Sequence, residues 1–210
     1  MKTNKPKINL KYLEEINIED IDFENDVEYK KIVNYEFETN IKGIEFNCCV
    51  FEKVDFSKIK IEKIDFIDCI FKNCDLSNID ISEKLILRCE FYDCKLIGSN
   101  FVETSLQNIL FDNCNMNYCN FNNSRIKEIE FKDTNLQDSS FIEIEHNKLS
   151  FSNCNLQNSE FYNTKMKDID LSSSSIEGIM LNTNNLQGIC INSYQATLLI
   201  KSFGVYIKDE

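Results

Sequence analysis

The sequence predicts an all-β solenoid whose coils have four sides, and three observations predict it. Every fifth residue from Ile41 to Ile191 is Ile, Phe, Leu or Met, with His146 as the one exception. A longer phrase returns every twenty residues: Phe71-Lys72-Asn73-Cys74-Asp75-Leu76, then Phe91-Tyr92-Asp93-Cys94-Lys95-Leu96, and again from Phe111, Phe131 and Phe151. Five Gly and one Pro leave little conventional loop chemistry between elements.

The five-residue beat excludes the two ordinary templates. An α-helix needs apolar spacings of three and four, and a strict period of five would carry its stripe around the helix. A flat strand needs unbroken alternation. Around each large apolar residue, taken as position i, residue i−2 is small or aliphatic, while i−1, i+1 and i+2 are mostly polar. Each five residues therefore form a short extended side ending in a turn, and twenty residues close one coil. Residues twenty apart stack, giving the column Phe51, Phe71, Phe91, Phe111, Phe131, Phe151, Leu171, Ile191 and, beside it, Cys74, Cys94, Cys114, Thr134, Cys154, Ser174. Each coil buries its core only against its neighbours, so both ends need caps.

Taken in order, residues 1–40 are the least regular. Ile16–Ile18 and Ile21–Phe23 carry the beat in another register, and the charged stretch Glu24–Lys31 loses it. This reads as an irregular N-terminal coil or cap with a possible loop over residues 24–36. Residues 41–192 form the repeat body. Residues 193–210 read as a capping helix, with Ser193 as N-cap, Ala196, Leu199, Ile200 and Phe203 as its apolar face and Gly204 as its stop. A short strand, Val205-Tyr206-Ile207, follows. At the end of a rod with an open edge, that strand is a candidate pairing surface for a second copy, with Leu198, Leu199, Phe203, Val205, Tyr206 and Ile207 as the interface; the alternative is that it folds back on its own cap.

The polar residues narrow the chemistry. Eight of the ten Cys (Cys49, Cys69, Cys74, Cys89, Cys94, Cys114, Cys119, Cys154) occupy the i−2 slot, otherwise held by Ile, Val, Ser or Thr, and so read as small buried filler. Their C-x4-C spacing is the repeat itself and no His accompanies it, so no metal is expected. Met1–Leu13 is polar and lysine-rich, without an apolar core of a leader, and reduced thiols of a cytoplasm are the expectation. No stretch approaches the ~20 apolar residues of a membrane span. A net charge of −12 and a pI near 4.7 turn the chain away from nucleic acid and anionic membranes and toward basic surfaces. His146 invites a catalytic reading, but no Ser or Cys nucleophile is placed for it; a locally adapted turn is the better account. No phosphate loop, cofactor motif or nucleophile–base pair rises above the repeat, so an enzyme is not expected.

The triplets Cys74-Asp75-Leu76, Ser99-Asn100-Phe101, Cys119-Asn120-Phe121, Thr134-Asn135-Leu136 and Cys154-Asn155-Leu156 resemble the A(D/N)Lxx signature of the pentapeptide repeat family. That resemblance implies a right-handed quadrilateral β-helix. The tail Ser193-Tyr194-Gln195-Ala196-Thr197-Leu198-Leu199, followed by Phe203-Gly204-Val205, resembles the closing segment of Qnr-type quinolone-resistance proteins. It implies a final helix and strand forming a head-to-head dimer, and binding to DNA gyrase and topoisomerase IV by an acidic rod that imitates duplex DNA. Many members interrupt the rod with two loops; here the beat is unbroken from Ile41 to Ile191, as in the loop-free members.

Sorting outward residues by side places the acidity on two of them. The Phe-column side carries Glu52, Glu90, Asp93, Asp112, Glu130, Asp133 and Asp170 against Lys53, Lys72 and Lys132. The side of Phe101, Phe121 and Phe141 carries Glu62, Asp80, Glu83, Glu103, Glu143 and Glu160 against Lys60 and Lys63. The side of His146 is balanced. These thirteen acids are the expected partner-binding residues, with protection from quinolones or from a gyrase-directed toxin as the implied outcome. A non-enzymatic scaffold for an unrelated protein is the alternative.

Overall fold

The computed structural model describes residues 3–16, 26–38, 40–62 and 64–208, apart from the side chains of Ile61 and Glu62. It is the four-sided β-solenoid expected, and the corner at i+2 is what bends it. From Asn73 to Asp168 every fifth residue has a positive φ, including Gly98 at +70°. Asn, Asp and Gly adopt this left-handed region at little cost. They hold most of these corners, from Asn73, Asn78 and Asp93 to Asn153, Asn158 and Asn163.

The strands are β1 (Glu14–Glu15), β2 (Val27–Glu28), β3 (Lys30–Glu36), β4 (Ile41–Lys42), β5 (Glu45–Asn47), β6 (Val50–Asp55), β7 (Ile61–Glu62), β8 (Asp65–Ile67) and β9 (Ile70–Lys72). Four strands of eight residues follow: β10 (Leu85–Tyr92), β11 (Ser105–Asp112), β12 (Arg125–Lys132) and β13 (Glu145–Ser152). All pairs are parallel, and from β4 onward the register is twenty residues, as in Phe91↔Phe111↔Phe131↔Phe151. The other sides are held by single bridges such as Asp75↔Lys95 and Asn100↔Asn120.

The core is a pair of aromatic stacks. Phe51, Phe71, Phe91, Phe111, Phe131 and Phe151 stack face to face with centroids 4.5–5.3 Å apart. Phe101, Phe121, Phe141 and Phe161 form a second stack at 4.7–4.8 Å. The two meet edge-on, for example Phe121 against Phe131 at 5.8 Å and 80°, the geometry aromatic quadrupoles favour. The i−2 slot is more than filler. Its hydroxyls and thiols donate to carbonyls of large apolar residues one coil back: Ser99 to Leu76 O at 2.7 Å, Thr104 to Ile81 O at 2.8 Å, Cys69 to Phe46 O at 3.3 Å. Cys, Ser and Thr interchange there because each is small and each carries a donor.

Three expectations are corrected. Residues 27–36 are β2 and β3 rather than a loop; residues 24 and 25, and the early beat at Ile18 and Ile21–Phe23, lie outside the described residues. The beat is lost to the eye because this coil is one residue shorter: Val27 pairs with Phe46 and Ile32 with Phe51, a register of nineteen. At the other end α1 (Ser193–Ser202) is capped by Asn192, not Ser193; Asn192 and Gln195 exchange side-chain-to-backbone bonds in a capping box. Its buried face is Gln195 and Leu199, while Ile200 is 43% exposed. Finally, Val205–Ile207 belongs to no strand. A strand exists only when another strand hydrogen-bonds to it, and among the described residues no strand pairs with this segment.

Candidate protein-binding faces

Outward side chains at i−1, at i+1 and at the i+2 corner make the surface, so twenty-residue register lines them up along the rod. On the Phe-column side the expected acidity is partly cancelled. Lys132 pairs with Asp112 at 2.9 Å and Asp133 at 3.6 Å, and Lys31 lies 3.9 Å from Glu52. The corner column alternates: Asn113 donates to Asp93 at 2.6 Å and Asn153 to Asp133 at 3.1 Å, which keeps like charges two coils apart. Asp93 and Asp170 are exposed and Glu130 half-buried. Glu90 is a correction: it is only 6% exposed and accepts the Tyr92 hydroxyl at 3.0 Å, so it belongs to the wall of the rod, not to a docking face. Burial and the Glu90 charge push that phenol up to about 12, which keeps it a donor.

The second side is different. Asp80, Glu83, Glu103 and Glu143 are exposed and Glu160 is half-buried, and among the described residues none of the five makes an ion pair. Glu62, at the N-terminal end of this side, has its side chain outside the described residues. Their neighbours are amides: Asn100 donates to Asp80 at 3.0 Å and Asn163 to Glu143 at 3.0 Å. Burial pushes the Asp80 carboxyl up, but bonds from Ser82 and Asn100 and the nearby Lys84 outweigh it and hold the group below its ordinary value. From Asp80 to Glu160 is four coils, or ~19 Å at the ~4.8 Å strand spacing. Five carboxylates spanning that length average one per ~4.8 Å, sparser than the ~3.4 Å charge spacing of a single DNA strand but of the same order.

At the C-terminal end, Val205, Tyr206 and Ile207 are 49%, 99% and 43% exposed, with Leu198 and Phe203 half-buried. Leu199 is a second correction: at 5% exposure it is spent on its own last coil and is not free for a partner. Tyr194 and Ile200, both exposed on α1, were not among the expected interface residues. The signal was there in helical spacing, but the choice of face turned on Gln195. That side chain is buried and donates to Leu171 O at 2.7 Å and Ser174 O at 2.6 Å, which rotates Ile200 outward.

His146 marks the place where the long strands stop. It pairs with Ile126 as the last member of the ladder, and its Nε2 sits 2.5 Å from Lys165 O, since residues 165–172 form no strand. The cavity there, about 580 Å³, is lined by Glu143, Ile144, Glu145, His146, Asn163, Lys165, Lys167 and Asp168, without Ser or Cys. Among the described residues no cluster of His, Cys, Asp and Glu is placed to hold a metal, and no helix is long and apolar enough to cross a membrane.

A family model described as pentapeptide repeat region matches residues 64–138 and 119–191. No curated protein matches the sequence. Among solved structures, full-length QnrB1, described as a plasmid-mediated fluoroquinolone resistance protein, is similar with a TM-score of 0.56 at 24% identity, covering 91% of this chain and 95% of that one. A trypsin-treated variant of QnrB1 gives a TM-score of 0.55 at 24% identity, covering 92% and 95%. At that identity the likeness establishes the fold.

Proposed function

We propose that this chain, which belongs to the pentapeptide repeat family, is a cytoplasmic, non-enzymatic protein that binds DNA gyrase, and topoisomerase IV with it, as a partial DNA mimic. In this reading it protects the topoisomerase from quinolones or from a gyrase-directed toxin. One observation carries the reading: the stripe Asp80, Glu83, Glu103, Glu143, Glu160, none of which makes an ion pair among the described residues, and whose mean spacing of ~4.8 Å is of the order of that along one DNA strand. A saddle built to hold phosphates with Lys and Arg attracts such a stripe through the same long-range field. The Phe-column side, through Asp93, Glu130 and Asp170, is secondary. Similarity to a fluoroquinolone resistance protein supports the choice of partner. Exposed Tyr194, Ile200, Val205, Tyr206 and Ile207 support a homodimer through the C-terminal ends, in which residues 205–207 find the strand partner that one chain lacks.

The test is a supercoiling assay with purified gyrase, titrated with this protein at low and high salt, with and without a fluoroquinolone. Inhibition at low salt that fades as screening shortens, and is lost in the double variant Glu103→Lys, Glu143→Lys, is the expected result. Absence of inhibition at low salt would sink the topoisomerase reading and leave the rod as a scaffold for another protein.

A further inference from the structure

Three residues that face outward by the repeat are nonetheless buried, and they share one corner of the rod. Cys48, Asp68 and Asn108 are left-handed corner residues, yet they are 6%, 5% and 4% exposed. On the next two coils the same corner is held by Glu128 and Lys148, whose side chains are 19% and 59% exposed. What covers the first set is the chain's own N-terminal segment. The Lys7 N–H donates to Asp68 Oδ1 at 2.8 Å, and the Asn4 N–H and Nδ2 donate to Asn108 Oδ1 at 3.1 and 2.9 Å. Cys48 Sγ lies 3.7 Å from Lys7 O. On the coil between, Arg88 braces Asp68 through Nε and Nη2, both at 2.6 Å.

The spacing is that of an extended peptide laid along a ladder. Lys7 to Asn4 is three residues, about 10 Å at ~3.3 Å each. Asp68 to Asn108 is two coils, about 9.6 Å at ~4.8 Å each. The two periods agree, so amides of an extended strap meet an acceptor on alternate coils without distortion. Two of the three bonds to Asp68 and Asn108 are donated by backbone, so the track selects conformation more than sequence. The strap carries Lys5, Lys7 and Lys11 and no acid, so the long-range field of a chain of net charge −12 favours it, although this side of the rod is itself balanced. Its hold is slight, with Lys5, Lys7 and Lys11 all exposed and Leu10 and Tyr12 at 76% and 63% exposure.

We infer that residues 3–13 are a self-supplied occupant of a peptide-binding track, and that a lysine-bearing extended segment of a partner protein takes the same track when the strap leaves. The track lies on a different corner from Glu83, Glu103 and Glu143, so it stands whether or not the topoisomerase reading does.

The experiment uses the full-length chain carrying Lys7→Pro, which keeps the strap extended but removes the N–H that Asp68 receives. A fluorescent peptide with the sequence of residues 3–13 is titrated in trans and followed by anisotropy. It is expected to bind the Lys7→Pro protein about tenfold or more tightly than wild type, the factor set by one bond to a charged acceptor. Adding Asp68→Asn is expected to weaken binding by about tenfold on the same grounds, and a peptide with its three lysines changed to glutamate should not bind. Equal affinity for wild type and Lys7→Pro, or indifference to Asp68→Asn, overturns the inference. If Lys7→Pro fails to fold, hydrogen exchange on wild type decides. The Asn4 and Lys7 amides should lose protection when excess peptide is added, and unchanged protection refutes the proposal.

Discussion

Replacing Gln195 with alanine is expected to undock the C-terminal cap. The side chain is 2% exposed and makes three bonds: Nε2 to Leu171 O at 2.7 Å, Nε2 to Ser174 O at 2.6 Å, and Oε1 from Asn192 N–H at 2.8 Å. At ~1 kcal/mol net for each bond, the truncation costs about 3 kcal/mol. Stranding the Ser174 carbonyl under a helix adds to this, since an unmet buried acceptor costs about 1–3 kcal/mol, whereas Leu171 O keeps the Ser174 N–H at 2.9 Å. Water entering behind the smaller side chain relieves part of that penalty, so about 3–4 kcal/mol is the working figure. Because a solenoid is stabilised coil by coil, the loss should be local to the last coil and α1. Amide exchange of Leu198–Lys201 read by mass spectrometry, beside a denaturant melt, measures it. Faster exchange confined to residues from about 171 onward is expected. If α1 keeps its wild-type protection and the melt moves by less than the equivalent of about 1 kcal/mol, the argument that Gln195 docks the cap is wrong.

Three further outcomes follow from the same geometry. Nine cysteines are buried and Cys190 is exposed; burial pushes the Cys119 thiol to about 12 and the Cys154 thiol to about 11. Native protein at pH 8 should therefore react with a thiol reagent at Cys190 alone, and a second rapid equivalent would contradict the packing. Tyr118 sits at a left-handed corner with φ +61° and is 61% exposed. Tyr118→Asn should relieve strain of about 1 kcal/mol and raise the melting temperature, whereas a lower melting point would show that its ring is needed. Ser172 hydrogen bonds hold the Asp170 carboxyl low, and for Asp80 the bonds from Ser82 and Asn100 outweigh the upward push of burial. Depressed carboxylates contribute stability above their unfolded value of ~3.9 and lose it as pH falls through the lower folded value. The melting temperature should hold to about pH 4.5 and drop below pH 4, and the drop should shrink in Asp80→Asn with Asp170→Asn. An unchanged drop would assign the acid sensitivity elsewhere.

How much of this was legible in the sequence depends on which interactions repeat. A period of five in residues such as Phe111, Phe131 and Phe151, and a period of twenty in the phrase around Cys74, specify coil, side and column together. Each large residue packs on its own equivalent one coil away. The i+2 corner was equally legible in its Asn, Asp and Gly, although the left-handed backbone is the reason for them and the polarity alone conceals it. The nineteen-residue coil that starts at Val27 escaped because a single residue missing between Phe37 and Ile41 breaks a strict count without breaking the hydrogen-bond ladder.

The sequence by itself determined the architecture and the side of the rod on which each acid lies, because both follow from a local rule repeated along the chain. Only the tertiary structure decided which acids are usable. Glu90 and Asp112 both face outward beside the Phe column, yet one is folded under Tyr92 and the other is paired with Lys132, while Glu83, Glu103 and Glu143 make no ion pair among the described residues. It also decided that Gln195 rather than Ile200 faces the last coil, and that Lys7 reaches Asp68 across sixty-one residues of chain. Those contacts join residues with no common period, and no regularity in the chain announces them.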